Sequence, residues 1–191
     1  SDVTFDFTNG QRDMVVHNTS VEPWRVTVAD TGYATMTAGR INRIRPYVDD
    51  EPFMLTYGDG VSDVDPNDIL AFHRASGAVV TLTAVKASQR FGVLDIDEGG
   101  CVGDFREKSD SDDAYINGGF MVCEPKVFDI INQRKDPDGD DFSGVTLEAL
   151  ARSGKLSAYR YDGFWSCMDT QRDMQQLIAL WNAGNAPWKV W

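Results

Sequence analysis

Cysteine, histidine and positive charge are all scarce in this chain. Its 191 residues hold three cysteines, Cys101, Cys123 and Cys167, widely spaced and without a Cys-x-x-Cys pair. That count offers neither a disulfide framework nor a zinc site, and reduced thiols are expected. The two histidines, His17 and His73, lack the carboxylate or serine neighbours that would suggest a triad. A nucleophilic hydrolase is therefore not indicated, and His73, among Ile69, Leu70 and Phe72, reads as structural. Eighteen basic residues stand against thirty acidic ones, a formal charge of −12. Such a balance repels polyanions and argues against a nucleic-acid partner or an anionic membrane surface. Any phosphate the protein handles then needs local basic groups or a metal. Long apolar runs are missing too: residues 78–85 are too few, and threonine-interrupted, to span a bilayer. No basic-then-apolar leader, internal repeat or low-complexity segment is present, so a soluble cytoplasmic protein is expected.

What is present, 42% hydrophobic and 25% charged residues, suffices for one sizeable core. One domain over 1–191 is expected, with a closing helix and tail over 170–191. The chain opens on a β-ribbon: residues 3–7 alternate, Asn9-Gly10 is a hairpin signal, and residues 14–17 continue it. A βα rhythm follows. Strands are predicted at 24–28, 53–57 and 79–85, and helices at 38–48 and, behind an Asp65 cap, at 66–75. A hairpin over 92–96 and 101–105 crosses a mainly parallel sheet. Residues 115–122 form a strand weakened by Gly118 and Gly119, which signals that something approaches its backbone. Helices at 126–134 and 147–153, a strand at 156–161, and a helix at 170–183 with Met174, Leu177, Ile178 and Trp181 on its core face complete the reading. The acidic run 136–141 reads as a solvated loop.

Chemistry concentrates at predicted strand ends, where an open α/β sheet builds its site. Tyr57-Gly58-Asp59-Gly60 sets a carboxylate between two glycines. A tight turn is one reading; the other is a carboxylate open to a hydrated, phosphate-bridging Mg2+. Asp169 is either the N-cap of the last helix or the partner of Asp59 on the same cation. Glu107-Lys108 is a charged edge or a phosphosugar site, Lys for the phosphate and Glu for vicinal hydroxyls. Asn117 with its two glycines, and Gly92, could face the same sugar. Arg40, at a loop-to-helix junction, could pair with a nucleotide phosphate.

These motifs, in order, carry a resemblance. Glu22-Pro23-Trp24, Asp30-Thr31-Gly32, Thr35-Met36-Thr37-x-Gly39-Arg40, Thr56-Tyr57-Gly58-Asp59-Gly60-Val61, Arg90-Phe91-Gly92, Glu107-Lys108, Ile116-Asn117-Gly118-Gly119-Phe120, Gly163-Phe164-Trp165-x-x-Met168-Asp169-Thr170 and Ala186-Pro187-Trp188-Lys189-Val190-Trp191 span essentially the whole chain. Together they resemble the glucose-1-phosphate cytidylyltransferase family of sugar nucleotidyltransferases. The resemblance implies a nucleotide-diphosphosugar transferase (Rossmann-like) α/β fold, with a mixed, mostly parallel sheet flanked by helices and β-hairpin excursions. It also implies the Mg2+-dependent reaction of CTP with α-D-glucose 1-phosphate to give CDP-glucose and pyrophosphate, feeding dideoxy-sugar and polysaccharide synthesis. A homo-oligomer is expected of the full-length protein. Carried over by position, Asp59 and Asp169 hold the metal and Lys108 the sugar phosphate. Glu107, Asn117, Gly118 and Gly92 face the glucose, and Arg40 contacts CTP.

Departures accompany the matches. The family's opening strand, Gly-x-Gly-Thr-Arg loop and Pro-Lys-Pro lysine do not occur before Ser1. The first βα unit and its phosphate-cradling amides are thus expected to be absent, and the chain alone to be an inactive fragment. Ala38, Ser109 and Ser166-Cys167 replace family residues, and residues 143–146 lack the Glu-x-Glu-Pro stretch. Ala38 is expected to put a methyl near the nucleotide. Two alternatives stand beside the cytidylyltransferase reading: a thymidylyl- or uridylyltransferase on the same fold, and a non-catalytic phosphosugar-binding subunit.

Overall fold

A computed structural model describes residues 2–6, 8, 13–17, 24–86, 93–106 and 115–190. In chain order the elements are β1 (Asp2–Asp6), β2 (Asp13–His17), α1 (Thr37–Arg43), β3 (Phe53–Leu55), β4 (Gly60–Ser62), α2 (Pro66–Ser76) and β5 (Val80–Lys86). They continue with β6 (Val93–Ile96), β7 (Val102–Arg106), β8 (Tyr115–Cys123), α3 (Lys126–Asn132), α4 (Leu147–Arg152), β9 (Leu156–Tyr161), β10 (Trp165–Cys167) and α5 (Gln171–Asn182). The chain divides into two compact units, Ser1–Asp30 and Thr31–Trp191.

In the first unit, β1 and β2 pair antiparallel from Asp2↔His17 to Asp6↔Asp13, as the alternating pattern predicts. Residues 24–30 have no regular structure. The strand predicted at 24–28 does not form, and Trp24, Val26 and Val28 are exposed. A β-rich pattern becomes a strand only where a ladder partner satisfies its N–H and C=O groups.

The second unit is built on a six-stranded sheet ordered β7-β6-β8-β5-β9, with β3 also paired to β8. Strand β5 is buried from Val80 to Val85, which explains why it reads as a near-continuous apolar run. The sheet is mixed as expected. Parallel neighbours do not predominate, however: among the described strands only β5 and β9 pair parallel, from Val80↔Leu156 to Val85↔Tyr161. Strand β8 runs antiparallel to both β3 and β5, so β3, β5 and β9 point the same way with β8 reversed among them. Side-chain alternation reports which face is buried, not strand direction, so this inversion was invisible in the pattern.

Each face of the sheet has a core. One gathers Val80, Leu82, Ala84, Met121 and Leu156 against Ile41 of α1, Phe128 and Ile131 of α3, and Leu147 and Leu150 of α4. The other joins Val122 to Ile69 of α2. Helix α2 follows its sequence signals: the Asp65 side chain accepts from the Asn67 N–H at 2.8 Å, Pro66 opens the helix, and Gly77 closes it at φ 66°. His73 is buried and structural, with Nδ1 2.7 Å from Thr81 Oγ1 and Nε2 3.1 Å from Glu124 Oε1. Glu124 is the carboxylate neighbour that local sequence did not reveal, since it arrives from the end of β8.

Several boundaries move. The helix predicted over 38–48 stops at Arg43 and tightens to a 3-10 turn over Arg45–Tyr47, because Pro46 lacks the N–H that an α-helix would use. Ala38 is helical and wholly buried in the core, so its methyl packs inward. The acidic run is an irregular loop with Asp136, Asp138 and Gly139 exposed, as expected, and it also brackets α1. The carbonyls of Asp138 and Asp140 accept from the Met36 and Ala38 N–H groups at 2.8 and 3.2 Å. Asp138 pairs with Arg43 at 2.6 Å, and Asp141 accepts from the Thr37 hydroxyl at 2.7 Å.

Helix α5 is capped by Thr170, whose Oγ1 accepts from the Asp173 N–H at 3.2 Å while Asp173 Oδ2 accepts from the Thr170 N–H at 2.9 Å. Of its predicted core face only Leu177 is buried; Met174, Ile178 and Trp181 are exposed. A helical period marks a face without saying what covers it. Thr170→Ala is expected to cost about 1 kcal/mol, read as a lower urea midpoint at unchanged m-value.

Candidate active site

The short β4–β10 ribbon stands apart from the main sheet. Trp165 pairs with Ser62, Ser166 with Val61 and Cys167 with Gly60. The ladder runs one step further, the Met168 N–H donating to the Asp59 carbonyl at 2.8 Å. Asp59 and Asp169, 110 positions apart by subtraction of their residue numbers, thereby flank one strand-pair end. They line a common cavity of about 140 Å3 with Thr56, Tyr57, Gly60, Asn117, Gly118, Trp165 and Cys167. Asp59 follows β3, while Asn117 sits opposite Ala84, near the C-terminal end of β5. The cavity therefore opens at the carboxyl edge of the parallel strands, where α/β sheets place ligands.

The alternatives for the two aspartates separate here. Asp169 is not the cap of α5, a role that Thr170 takes. Its Oδ2 accepts from the Cys167 thiol at 3.4 Å. Burial, reinforced by the Asp169 carboxylate, pushes that thiol up to about 11, so it stays a protonated donor at neutral pH. Around Asp59 the glycines are not required by packing. A Cβ on Gly58 would meet nothing within 4 Å, and one on Gly60 nothing nearer than 3.9 Å. Neither has the positive φ that favours glycine. Bare backbone on both sides of Asp59 thus leaves open space beside the carboxylate.

Gly118 and Gly119 behave differently. A Cβ on Gly118 would lie 3.1 Å from the Thr83 carbonyl oxygen and 3.3 Å from Trp165 Nε1. Gly119 adopts φ 81°, and a Cβ there would lie 2.7 Å from the Tyr57 ring. What approaches this strand closely is thus Trp165 and Tyr57, two aromatic cavity residues that sequence reasoning did not single out. The signal was present: a glycine pair in a strand demands a bulky neighbour, and both aromatics belong to the quoted motifs. The Tyr57 hydroxyl bonds Ser143 Oγ. Burial raises its pKa above the ordinary tyrosine value, with the Asp141 and Asp59 charges adding. Asn117 Oδ1 accepts from the Gly119 N–H at 3.0 Å, fixing that side chain.

Not every expected site residue reaches the cavity. Arg40 is exposed on α1, donating to Thr31 Oγ1 at 2.7 Å and to the Tyr33 carbonyl at 3.3 Å, and it is not among the lining residues. Gly92, Glu107 and Lys108 lie outside the described residues. A larger hollow of about 690 Å3 runs past Asn42, Arg43, Arg45, Asp49, Asp50 and Asn132. Both its arginines are engaged by acids, Arg43 by Asp138 and Arg45 by Asp50, and no expected site residue lines it. The smaller cavity is the one that gathers expected site residues, Asp59, Asn117, Gly118 and Asp169.

Its donor set favours a hard cation. The described lining carries two carboxylates and neither lysine nor arginine, a pairing that attracts a cation and by itself repels phosphate. Among the described residues no three His, Cys, Asp or Glu side chains are placed to hold a metal together. A cation here would take one or two carboxylates and leave its other positions to water and phosphate oxygens, which suits Mg2+. No helix among the described residues is long and apolar enough to cross a membrane.

Comparison with known proteins bears on this geometry. The pattern of the family described as nucleotidyl transferase matches residues 7–183. The chain is 48% identical over 192 residues to the glucose-1-phosphate cytidylyltransferases of Salmonella typhi and Salmonella typhimurium, covering 100% of this chain and 72% of each enzyme. A sucrose complex from Bacillus anthracis, assigned as a glucose-1-phosphate thymidylyltransferase, superposes with TM-score 0.67 at 17% identity, over 81% of this chain and 63% of that one. The fold is thus that of the nucleotide-diphosphosugar transferases. By sequence and architecture alike, the chain belongs to the nucleotidyl transferase family.

Proposed function

We propose that this chain carries the phosphosugar and metal half of a glucose-1-phosphate cytidylyltransferase. The observation that supports it most is the meeting of Asp59 and Asp169 on one cavity beside Asn117 and Gly118. The 48% identity to two cytidylyltransferases along the whole chain supports the choice of reaction. An oxygen of the glucose 1-phosphate attacks the α-phosphorus of CTP in line. One O–P bond forms, the bond to the β-phosphate oxygen breaks, and pyrophosphate leaves with the electron pair. No protein nucleophile is needed; alignment of two anions is the task.

Asp59 and Asp169 would hold Mg2+, which when bound neutralises phosphate charge. Lys108 would meet the sugar phosphate as a compact charge. Asn117, Gly118, Glu107 and Gly92 would face the glucose, and Arg40 the nucleotide. The Asn117 side chain arrives already oriented by the Gly119 N–H, which lowers the ordering cost on sugar binding. The same reading takes 1–191 as one sugar nucleotidyltransferase domain of a cytoplasmic protein that is homo-oligomeric when full length.

The test is turnover of glucose 1-phosphate with CTP, UTP and dTTP side by side, paired with calorimetric binding of glucose 1-phosphate in Mg2+. The 191 residues contain no Gly-x-Gly-Thr-Arg run. No turnover is therefore expected from the chain alone, and CTP-selective turnover once that segment is supplied. Equal use of all three nucleotides would sink the cytidylyl assignment. Binding without turnover in the supplemented protein would identify a non-catalytic subunit.

A further inference from the structure

We infer that Trp165 is a positioning residue for the carboxylate pair, acting through a bulge in β8; this rests on the reading of the Asp59–Asp169 cavity as the metal and phosphosugar site. The pairing of β5 with β8 is regular to Leu82↔Met121 and resumes at Ala84↔Asn117. Gly118, Gly119 and Phe120 thus stand opposite the single Thr83. Such a bulge takes backbone groups off the ladder and re-aims the residues beside it. Thr83 Oγ1 donates to the freed Phe120 carbonyl at 2.8 Å. The Gly118 carbonyl accepts instead from the Trp165 indole N–H, at 2.7 Å.

This bond ties two separate pieces together. Trp165 belongs to β10, four residues before Asp169, in the ribbon that also carries Asp59 next to Gly60. Gly118 belongs to β8, next to Asn117. The Gly60 and Gly118 backbones and the Trp165 indole converge: a Cβ on Gly60 would lie 3.9 Å from both the Gly118 oxygen and Trp165 Nε1. The indole donor thereby sets the ribbon, with both carboxylates, against the strand that holds Asn117. It is a link between metal ligands and sugar contact that needs no direct contact with substrate.

The experiment uses this chain and Mn2+ as the probe, counting free ion by electron paramagnetic resonance, with circular dichroism to establish folding. Trp165→Phe keeps the ring and deletes the donor, and is expected to weaken Mn2+ binding about threefold to tenfold. Trp181→Phe, on the exposed side of α5, should leave it unchanged, and Asp59→Asn should abolish it. Coupling is reciprocal, so Mg2+ must in turn slow solvent exchange of the Trp165 indole proton in the unsubstituted chain. That NMR measurement stands even if the Phe variant does not fold. Unchanged Mn2+ affinity in Trp165→Phe, or an indole exchange rate indifferent to Mg2+, overturns the inference while loss of binding in Asp59→Asn keeps the cavity reading. If both Asp59→Asn and Asp169→Asn bind Mn2+ normally, the cavity reading itself falls.

Discussion

Asp169→Asn is expected to lower CDP-glucose formation by the supplemented enzyme by roughly 10^3-fold, with Asp59→Asn equally severe, because on the proposed reading each would remove one of the two carboxylates offered to the cation. Unfolding should barely register the change. Both side chains are exposed, and neither caps a helix, since Thr170 does that for α5. Their replacement should stay within about 0.5 kcal/mol of the parent. The double variant should be no slower than either single one, as members of a unit that acts together are not additive. Turnover reduced less than about tenfold in both single variants, measured at saturating Mg2+, would remove the two carboxylates from the reaction.

Phe142→Ala is expected to give the opposite split, a loss of about 3–5 kcal/mol in denaturant unfolding and a Tm lower by roughly 10 °C. Phe142 is fully buried in the core shared by α1, α3 and α4. It opens the π-helical turn Phe142–Thr146, and its N–H donates to Thr37 Oγ1 at 2.7 Å. The Thr37 hydroxyl in turn donates to Asp141, so the ring anchors the bracket that holds the start of α1. Ser143, the next residue, bonds the Tyr57 hydroxyl at the cavity. The variant should therefore also weaken glucose 1-phosphate binding through Tyr57. A loss below about 1 kcal/mol would mean that the turn collapses onto the vacated space without consequence.

About half of the candidate site is legible in the sequence. Asp59, Asn117, Gly118 and Asp169 stand in motifs at predicted strand ends, and they line one cavity. Tyr57 and Trp165 were in view as letters of those motifs, yet their role emerges only from what the glycines face. A glycine's missing side chain is a statement about its neighbour, and the neighbour of Gly118 lies 47 positions away by residue number, at Trp165. Arg40 illustrates the converse. Its motif at the loop-to-helix junction suggests a nucleotide contact, whereas its place within α1 and the bonds that hold its guanidinium to Thr31 and Tyr33 are set by the fold.

By itself the sequence determined what depends on nearest neighbours along the chain: the Asp65-Pro66 start and Gly77 stop of α2, the β1–β2 hairpin, the buried run of β5, and the candidate acids. These are short-range effects of dihedral preference, capping and alternation. The tertiary structure alone decided the reversal of β8, the failure of 24–28 to pair, the acidic bracket on α1 and the uncovered face of α5. Each depends on a partner distant in the chain, and local physics specifies that a group must be satisfied or buried without naming what will do it.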